Sequence, residues 1–442
     1  GAGKAGSISF SATDGALSLA GGMNGAAQAA GDSGSFTADA QNVGAFSGLN
    51  TALNTGGFFS EREIRQRSGN LIVGAGDTVR AQNVSLTADQ GDVNVSGTID
   101  ARGDDGGDVV LSARSAVLVS GSILASATSS DGKGGEVDLR GLNGVRLNGS
   151  SVIDVSAGGQ SDDAGGELRL RVDRTAALTL SDADASNNAV TIAGTVRGAE
   201  RSSLEAVRIY TDADGIVAGG VIDASLTAAQ PGNILYDQAI EFMASESAIL
   251  TALGRTEDPT FTLMPGIEIQ TEGDLSLGSE SAAVNWNLAT WRFGAANAPG
   301  VLTLRAGGNL TIYGSLSDGF AAASGAISQQ PPYRLPTTPS NSWSYRLIAG
   351  ADHESADVMS VDPSVGATEG NGNFKIAEGP GIGLAPFRMV RTGNGSIDVA
   401  AAGDFILGNQ RSVLYTAGVA SPGGITIGNG LTVGLGRVYP TD

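Results

Sequence analysis

The 442-residue chain has no cysteine, one histidine, and only three lysines, at Lys4, Lys133 and Lys375. Without cysteine there is neither a disulfide nor thiolate chemistry, and nothing covalent would lock the chain before it crossed a membrane. With a single histidine, His353, a multi-histidine metal cage is excluded. His353 reads as an exposed loop residue without a chemical role. Aromatic residues make up 5% of the chain and charged residues 16%, so large aromatic binding faces have few residues to draw on. Positive charge is scarce as well: the net charge is −20. Such a surface repels nucleic acid and anionic lipid, so neither is expected as a partner. No run of eighteen apolar residues occurs, so no helical membrane span is expected. The chain opens at Gly1 without a basic and an apolar leader region, and reads as an excised or processed segment.

What is present is glycine, 67 residues of it, with 41% hydrophobic residues in a regular pattern. That is too apolar and too ordered for a disordered chain. The pattern contains a repeated phrase. Gly106-Gly107-Asp108-Val109-Val110-Leu111 returns as Gly134-Gly135-Glu136-Val137-Asp138-Leu139, and again as Gly165-Gly166-Glu167-Leu168-Arg169-Leu170. The first glycines of the pairs stand 28 and then 31 residues apart (106 to 134 to 165). Each phrase is followed by a second apolar pair, Val117/Val119, Val145/Leu147 and Leu178/Leu180. A third element closes the first two copies at Ile123 and at Ile153/Val155. Period-2 strands in a repeat of this length, with Gly and Asp at the corners, predict a β-solenoid in which each coil stacks on its neighbours. With strands ~4.8 Å apart, about fifteen coils would form a rod roughly 70–80 Å long.

Four segments follow. Residues 1–70 are Gly/Ala/Ser-rich and read as thin solenoid coils, interrupted by a charged cluster at Glu61–Arg67 that reads as a solvated loop or a helical turn. Residues 71–235 carry the regular repeats, with Thr191/Ala193 and Val207/Ile209 among the later strands. Residues 236–254 place apolar side chains at Ile240, Met243, Ala244, Ala248 and Leu253. That spacing predicts one amphipathic helix packed on the side of the rod, with Gly254 as its C-cap. Residues 255–442 return to strands. They include a proline-rich excursion from Gln329 to Pro339, expected as an exposed loop, and last coils at Ile425/Ile427 and Leu431/Val433. No polar cap is visible at Asp442, so the rod is expected to continue in a parent protein.

The stretch from Phe242 onward resembles the large filamentous-haemagglutinin-like exoproteins of Gram-negative bacteria. The resemblance is carried by Met264-Pro265-Gly266-Ile267-Glu268-Ile269, Gly273-Asp274-Leu275-Ser276-Leu277 and Asn285-Trp286-Asn287-Leu288. It continues through Pro299-Gly300-Val301-Leu302-Thr303-Leu304-Arg305-Ala306 and Gly314-Ser315-Leu316-Ser317-Asp318-Gly319-Phe320. Ser342-Trp343-Ser344-Tyr345-Arg346-Leu347, Ala349-Gly350-Ala351-Asp352, Arg391-Thr392-Gly393-Asn394-Gly395-Ser396-Ile397 and Tyr415-Thr416-Ala417-Gly418 complete it. For residues 1–235 only the general texture is similar. The resemblance implies a right-handed parallel β-helix, exported through an outer-membrane β-barrel transporter and displayed or shed as an adhesin. The family's N-terminal secretion module is not in this sequence.

Arg102-Gly103-Asp104 is an integrin-type tripeptide in a glycine-rich corner, although chance produces such a match readily in a chain rich in Gly and Asp. Trp286 and Trp343, with Trp291 and Tyr345, would suit either a sugar-stacking platform or the sealing of an excursion onto the rod. Acidic corners at Asp104/Asp105/Asp108, Asp131 and Asp162/Asp163 would suit either Ca²⁺ or simple turn duty. No cofactor is expected. Parallel β-helices also carry polysaccharide lyases and hydrolases, whose sites need convergent carboxylates. Here the carboxylates are scattered over corners, so no enzyme is expected. The expected function is the shaft of a secreted or surface-displayed adhesin, meeting the surfaces of host or neighbouring cells, glycans among them, and able to associate laterally. A carbohydrate-binding or degrading module, and the stalk of a contact-dependent toxin-delivery protein, are the alternatives.

Overall fold

The computed structural model describes residues 3–27, 33–159, 165–174, 189–318, 341–378 and 388–418, with the backbone of Ile425–Ile427 and Leu431–Val433. The chain divides into two units. The first holds Gly1–Ala206, Ser247–Leu263 and Glu354–Val358; the second holds Val207–Glu246, Met264–His353 and Met359–Asp442.

In the first unit, strands fall to three parallel sheets in rotation. Asn83–Ala88, Val93–Val95 and Thr98–Asp100 are followed by Asp108–Ala113, Ala116–Val119 and Ser122–Leu124, then by Glu136–Gly141, Gly144–Leu147 and Val152–Asp154. Each strand pairs in parallel with the strand three elements later. The repeated phrase sets the register. Val84, Val109, Val137 and Leu168 stand in line, and beside them Leu86, Leu111, Leu139 and Leu170. Val93, Val117, Val145 and Val190 form a second row, and Val79, Ile99, Ile123 and Ile153 a third. All of these side chains are buried. Each contributes about 1.5–3 kcal/mol relative to an exposed position, so the stacked rows are the main stabilising element.

The paired glycines serve close approach rather than turning. A Cβ on Gly107 would stand 1.9 Å from the Gln82 carbonyl oxygen, and one on Gly135 2.1 Å from that of Gly107. Neither glycine has a positive φ, contrary to the usual corner role. Acidic and amide corners do bond to backbone: Asn70 Oδ1 accepts from the Asp92 N–H at 2.9 Å, and Asp92 Oδ1 from the Ala116 N–H at 3.0 Å.

Three local expectations for this unit are corrected. The cluster at 61–67 is not a loop: Glu61–Gln66 is a strand with Arg62, Ile64 and Gln66 buried, paired between Ser35–Asn42 and Asn83–Ala88. Within the segment expected as thin coils, helix α1 (Phe46–Gly56) buries Phe46, Leu49 and Leu53. The described strand that pairs with Gly144–Leu147 is Val190–Ile192; the expected Leu178/Leu180 lie outside the described residues. Its inward residues are Val190 and Ile192, one position out of phase with the expected Thr191/Ala193, and a one-residue shift exchanges the two faces.

In the second unit the parallel pattern recurs. Ile267, Leu302, Tyr345 and Ile397 align, as do Leu275, Leu310, Phe374 and Phe405, and Trp286, Leu316, Val390 and Leu414. A corner ladder runs through Asp274, Asn309, Asn373 and Asp404. Each of the first three accepts, through its side-chain oxygen, the backbone N–H of the next, at 2.7, 2.9 and 2.6 Å.

The single helix expected over 236–254 is two. Helix α2 (Ile234–Met243) is capped by Asn233, whose Oδ1 accepts from Leu235 N at 3.0 Å. It buries Leu235, Ala239 and Met243, and leaves the expected core residue Ile240 44% exposed. Helix α3 (Glu246–Ala252) ends as the sequence predicts. Gly254 has φ +65°, its N–H reaches Thr251 O at 3.0 Å, and Arg255 N reaches Leu250 O at 2.8 Å, a Schellman closure. The proline-rich excursion from Gln329 to Pro339 lies outside the described residues. Ile425–Ile427 and Leu431–Val433 pair antiparallel rather than joining parallel coils. Among the described residues no helix is long and apolar enough to cross a membrane.

Candidate functional site

The tripeptide Arg102-Gly103-Asp104 lies just after the strand Thr98–Asp100. Gly103 makes a parallel bridge with Ala127, and its carbonyl accepts from Thr128 N and Oγ1, both at 2.7 Å. Arg102 folds back onto Asp100, with Nε to Oδ1 at 2.8 Å and Nη2 to Oδ2 at 3.0 Å. That pairing lowers the Asp100 pKa and raises that of Arg102. Asp104 is exposed. The corner therefore offers a carboxylate to solvent, with its arginine already engaged.

The tryptophans are placed differently. Trp286, Trp291 and Trp343 are each 0% exposed, in the second unit. Trp291 meets Trp286 and Trp343 edge-to-face, at centroid distances of 5.7 and 6.3 Å, and Tyr236 of α2 closes on Trp291 at 5.3 Å. Trp343 Nε1 donates to Trp291 O at 2.9 Å. Beside them the fully buried Asp318 accepts from Arg292 Nη2 on both oxygens at 3.0 Å, and from Trp343 N at 2.6 Å. No ring face is open to a sugar, so the stacking platform has no surface here. Packing is the role this geometry supports. Nothing in the linear pattern marks the Arg292–Asp318 pair, because its members are separated by three strands.

The acidic corners are dispersed. Asp104 is exposed, Asp105 Oδ1 accepts from Lys133 N at 2.8 Å, and Asp162 and Asp163 lie outside the described residues. Among the described residues no three His, Asp or Glu side chains are grouped to hold a metal ion. His353 is half-buried rather than exposed, and its Nε2 stands 3.0 Å from Thr271 O. Burial, followed by Arg305, lowers its pKa.

A denser charge array, which sequence reasoning missed, stands on the strand faces themselves. Asp108, Glu136 and Glu167 lie in register on successive strands. Arg169 bonds to Glu136 and, at 2.5 Å, to Glu167, while Arg201 Nε reaches Glu167 at 2.6 Å. Burial raises the Glu136 pKa to about 7, with Asp138, Glu167 and Asp108 adding to it and Arg169 opposing. The signal was legible: the acidic third position of every repeated phrase had to align once the phrases stacked. A cavity of about 110 Å³ in the same unit is lined by Leu168, Ile192, Val196, Phe261, Arg255 and Asp258. Ligand pockets for drug-sized molecules occupy about 300–1,000 Å³, so this one is too small for a sugar chain. No known protein family, curated protein or solved structure matches the chain.

Proposed function

We propose that the chain is a structural shaft: a right-handed parallel β-helix segment of a secreted or surface-displayed bacterial adhesin of the filamentous-haemagglutinin-like kind. It works in attachment, aggregation or biofilm, reaches the surface through an outer-membrane β-barrel transporter, and packs laterally beside other copies. It carries no catalysis of its own. The observation that carries this reading is the in-register rotation of strands among three parallel sheets, row on row of Val, Leu and Ile. A protein whose order is spent on repeating one coil is suited to spacing other parts. The resemblance from Phe242 to Gly418 supplies the adhesin context. Burial of Trp286 and Trp343 weighs against the carbohydrate-module alternative.

Adhesion itself is the test. Beads carrying the folded chain, and beads carrying Asp104→Ala, are offered to epithelial cells and to a glycan array. A shaft gives background binding for both. Saturable binding to one glycan class by the unmodified chain, lost on Trp286→Ala, would instead establish a carbohydrate module.

A further inference from the structure

The strand Arg388–Thr392 in the second unit opens with a guanidinium that no acceptor among the described residues meets. Arg388 is 2% exposed, and its Nε, Nη1 and Nη2 all lack a hydrogen-bond partner. Other buried arginines here are answered. Arg171 has Glu205, Arg305 has Glu268, Arg391 has Ser317 and Tyr415, and Arg62 has three neutral oxygens. Arg388 is in register with Ser412 on the next strand, and Ser412, also buried, has an unpartnered hydroxyl. Asn409 belongs to the same corner, its carbonyl accepting from Ser412 N at 3.0 Å. Its Oδ1 takes the Arg411 N–H at 2.7 Å, while its Nδ2 is buried and unpartnered. Three side chains with free donors thus share one corner. Burial lowers the Arg388 pKa, with only Tyr313 opposing, which is the electrostatic mark of a cation lacking its counter-charge.

We propose that Arg388, Ser412 and Asn409 form a carboxylate-binding site. The planar fork of a guanidinium matches both oxygens of a carboxylate, and a hydroxyl and an amide N–H suit the lone pairs that remain. The acid is a small carboxylate from solution, either a free organic acid or the uronate of an acidic sugar. Entry is from the half-exposed Asn409 side, because Ser412–Thr416 is the last strand of its sheet among the described residues. The proposal does not depend on the shaft reading.

The test uses the whole chain and two probes, sodium acetate and sodium D-glucuronate, against sodium chloride at equal ionic strength. Saturation-transfer NMR on each probe is paired with thermal melting. The unmodified chain is expected to give a saturable signal and a rising midpoint with acetate, glucuronate or both. Stronger binding of glucuronate points to an acidic sugar, and equal binding to a free acid. Arg388→Gln should weaken binding by about tenfold or more, the value of a charge-assisted hydrogen bond. Ser412→Ala should weaken it by a smaller factor, and it serves as the readout if Arg388→Gln does not fold. In carboxylate-free buffer Arg388→Leu should melt higher than the unmodified chain, because it removes an unanswered charge. No saturable signal from either probe, or a response equally strong with chloride, would overturn the site. So would an equal response in folded Arg388→Gln.

Discussion

At the residue scale, a tight constraint is the missing Cβ at the paired glycines Gly107 and Gly135. The Gly107 carbonyl oxygen lies 2.1 Å from where a Gly135 Cβ would be, and backbone cannot retreat without breaking the strand pairing beside it. Gly135→Ala should therefore destabilise the first unit by about 1–3 kcal/mol, as overpacking does, read from urea melts. Gly149, with nothing within 4 Å and no positive φ, is the control, and Gly149→Ala should be neutral or slightly stabilising. Charge follows the same stacking. Glu136 holds its proton to about pH 7 in the fold and, unfolded, only to its ordinary value of 4.5. The folded state binds more protons in that interval, so its stability should fall as pH rises from 4.5 to 7. Glu136→Gln should flatten that part of the profile, measured as urea midpoints at intervals across it. His353 acts in the opposite sense: its lowered pKa removes stability as pH falls below its ordinary 6.5. The glycines and acidic positions were plain in the sequence. Their purpose was not, because close approach depends on which carbonyl the neighbouring segment brings alongside.

At the scale of elements, α1 is held by a charge on the wrong face of a strand. Arg62 points inward from Glu61–Gln66 and donates to Phe58 O at 2.8 Å, Asn50 Oδ1 at 2.9 Å and Asn54 Oδ1 at 2.8 Å. Both asparagines, one helical turn apart, donate in turn to Thr78 O at 3.0 and 2.8 Å, covering a carbonyl on the strand Thr78–Arg80. Sheet edges left bare invite association, and side-chain amides are one way to satisfy them. Burial without a carboxylate lowers the Arg62 pKa to about 10. The double variant Asn50→Ala/Asn54→Ala removes two of its three acceptors, and hydrogen bonds to charged groups are worth about 1.5–3 kcal/mol each. Amide exchange across Phe46–Gly56 should accelerate strongly while that of Val93–Val95 stays slow; equal protection in both would refute the lock. This element was hidden for a physical reason. An arginine at an inward position breaks the apolar alternation that reveals strands, and Phe46, Leu49 and Leu53 are diluted by small residues. By contrast, Asp108–Ala113 through Val152–Asp154 were legible, since alternation, spacing and corner residues agree there.

At the scale of the whole molecule, both units grow by adding strands to parallel sheets, and the rows of like residues run along the direction of growth. The proposed β-helix shaft follows from that repetition, and so does the scarcity of chemistry along it. Where the repetition breaks, the apolar side chains Phe46, Leu49 and Leu53 of α1, Leu235 and Met243 of α2 and the three tryptophans are buried. Negative-stain electron microscopy of the purified full chain tests this most directly. The account predicts thin, straight particles one coil wide, with length set by coils stacked ~4.8 Å apart. Round or two-lobed particles of similar length and width would contradict it.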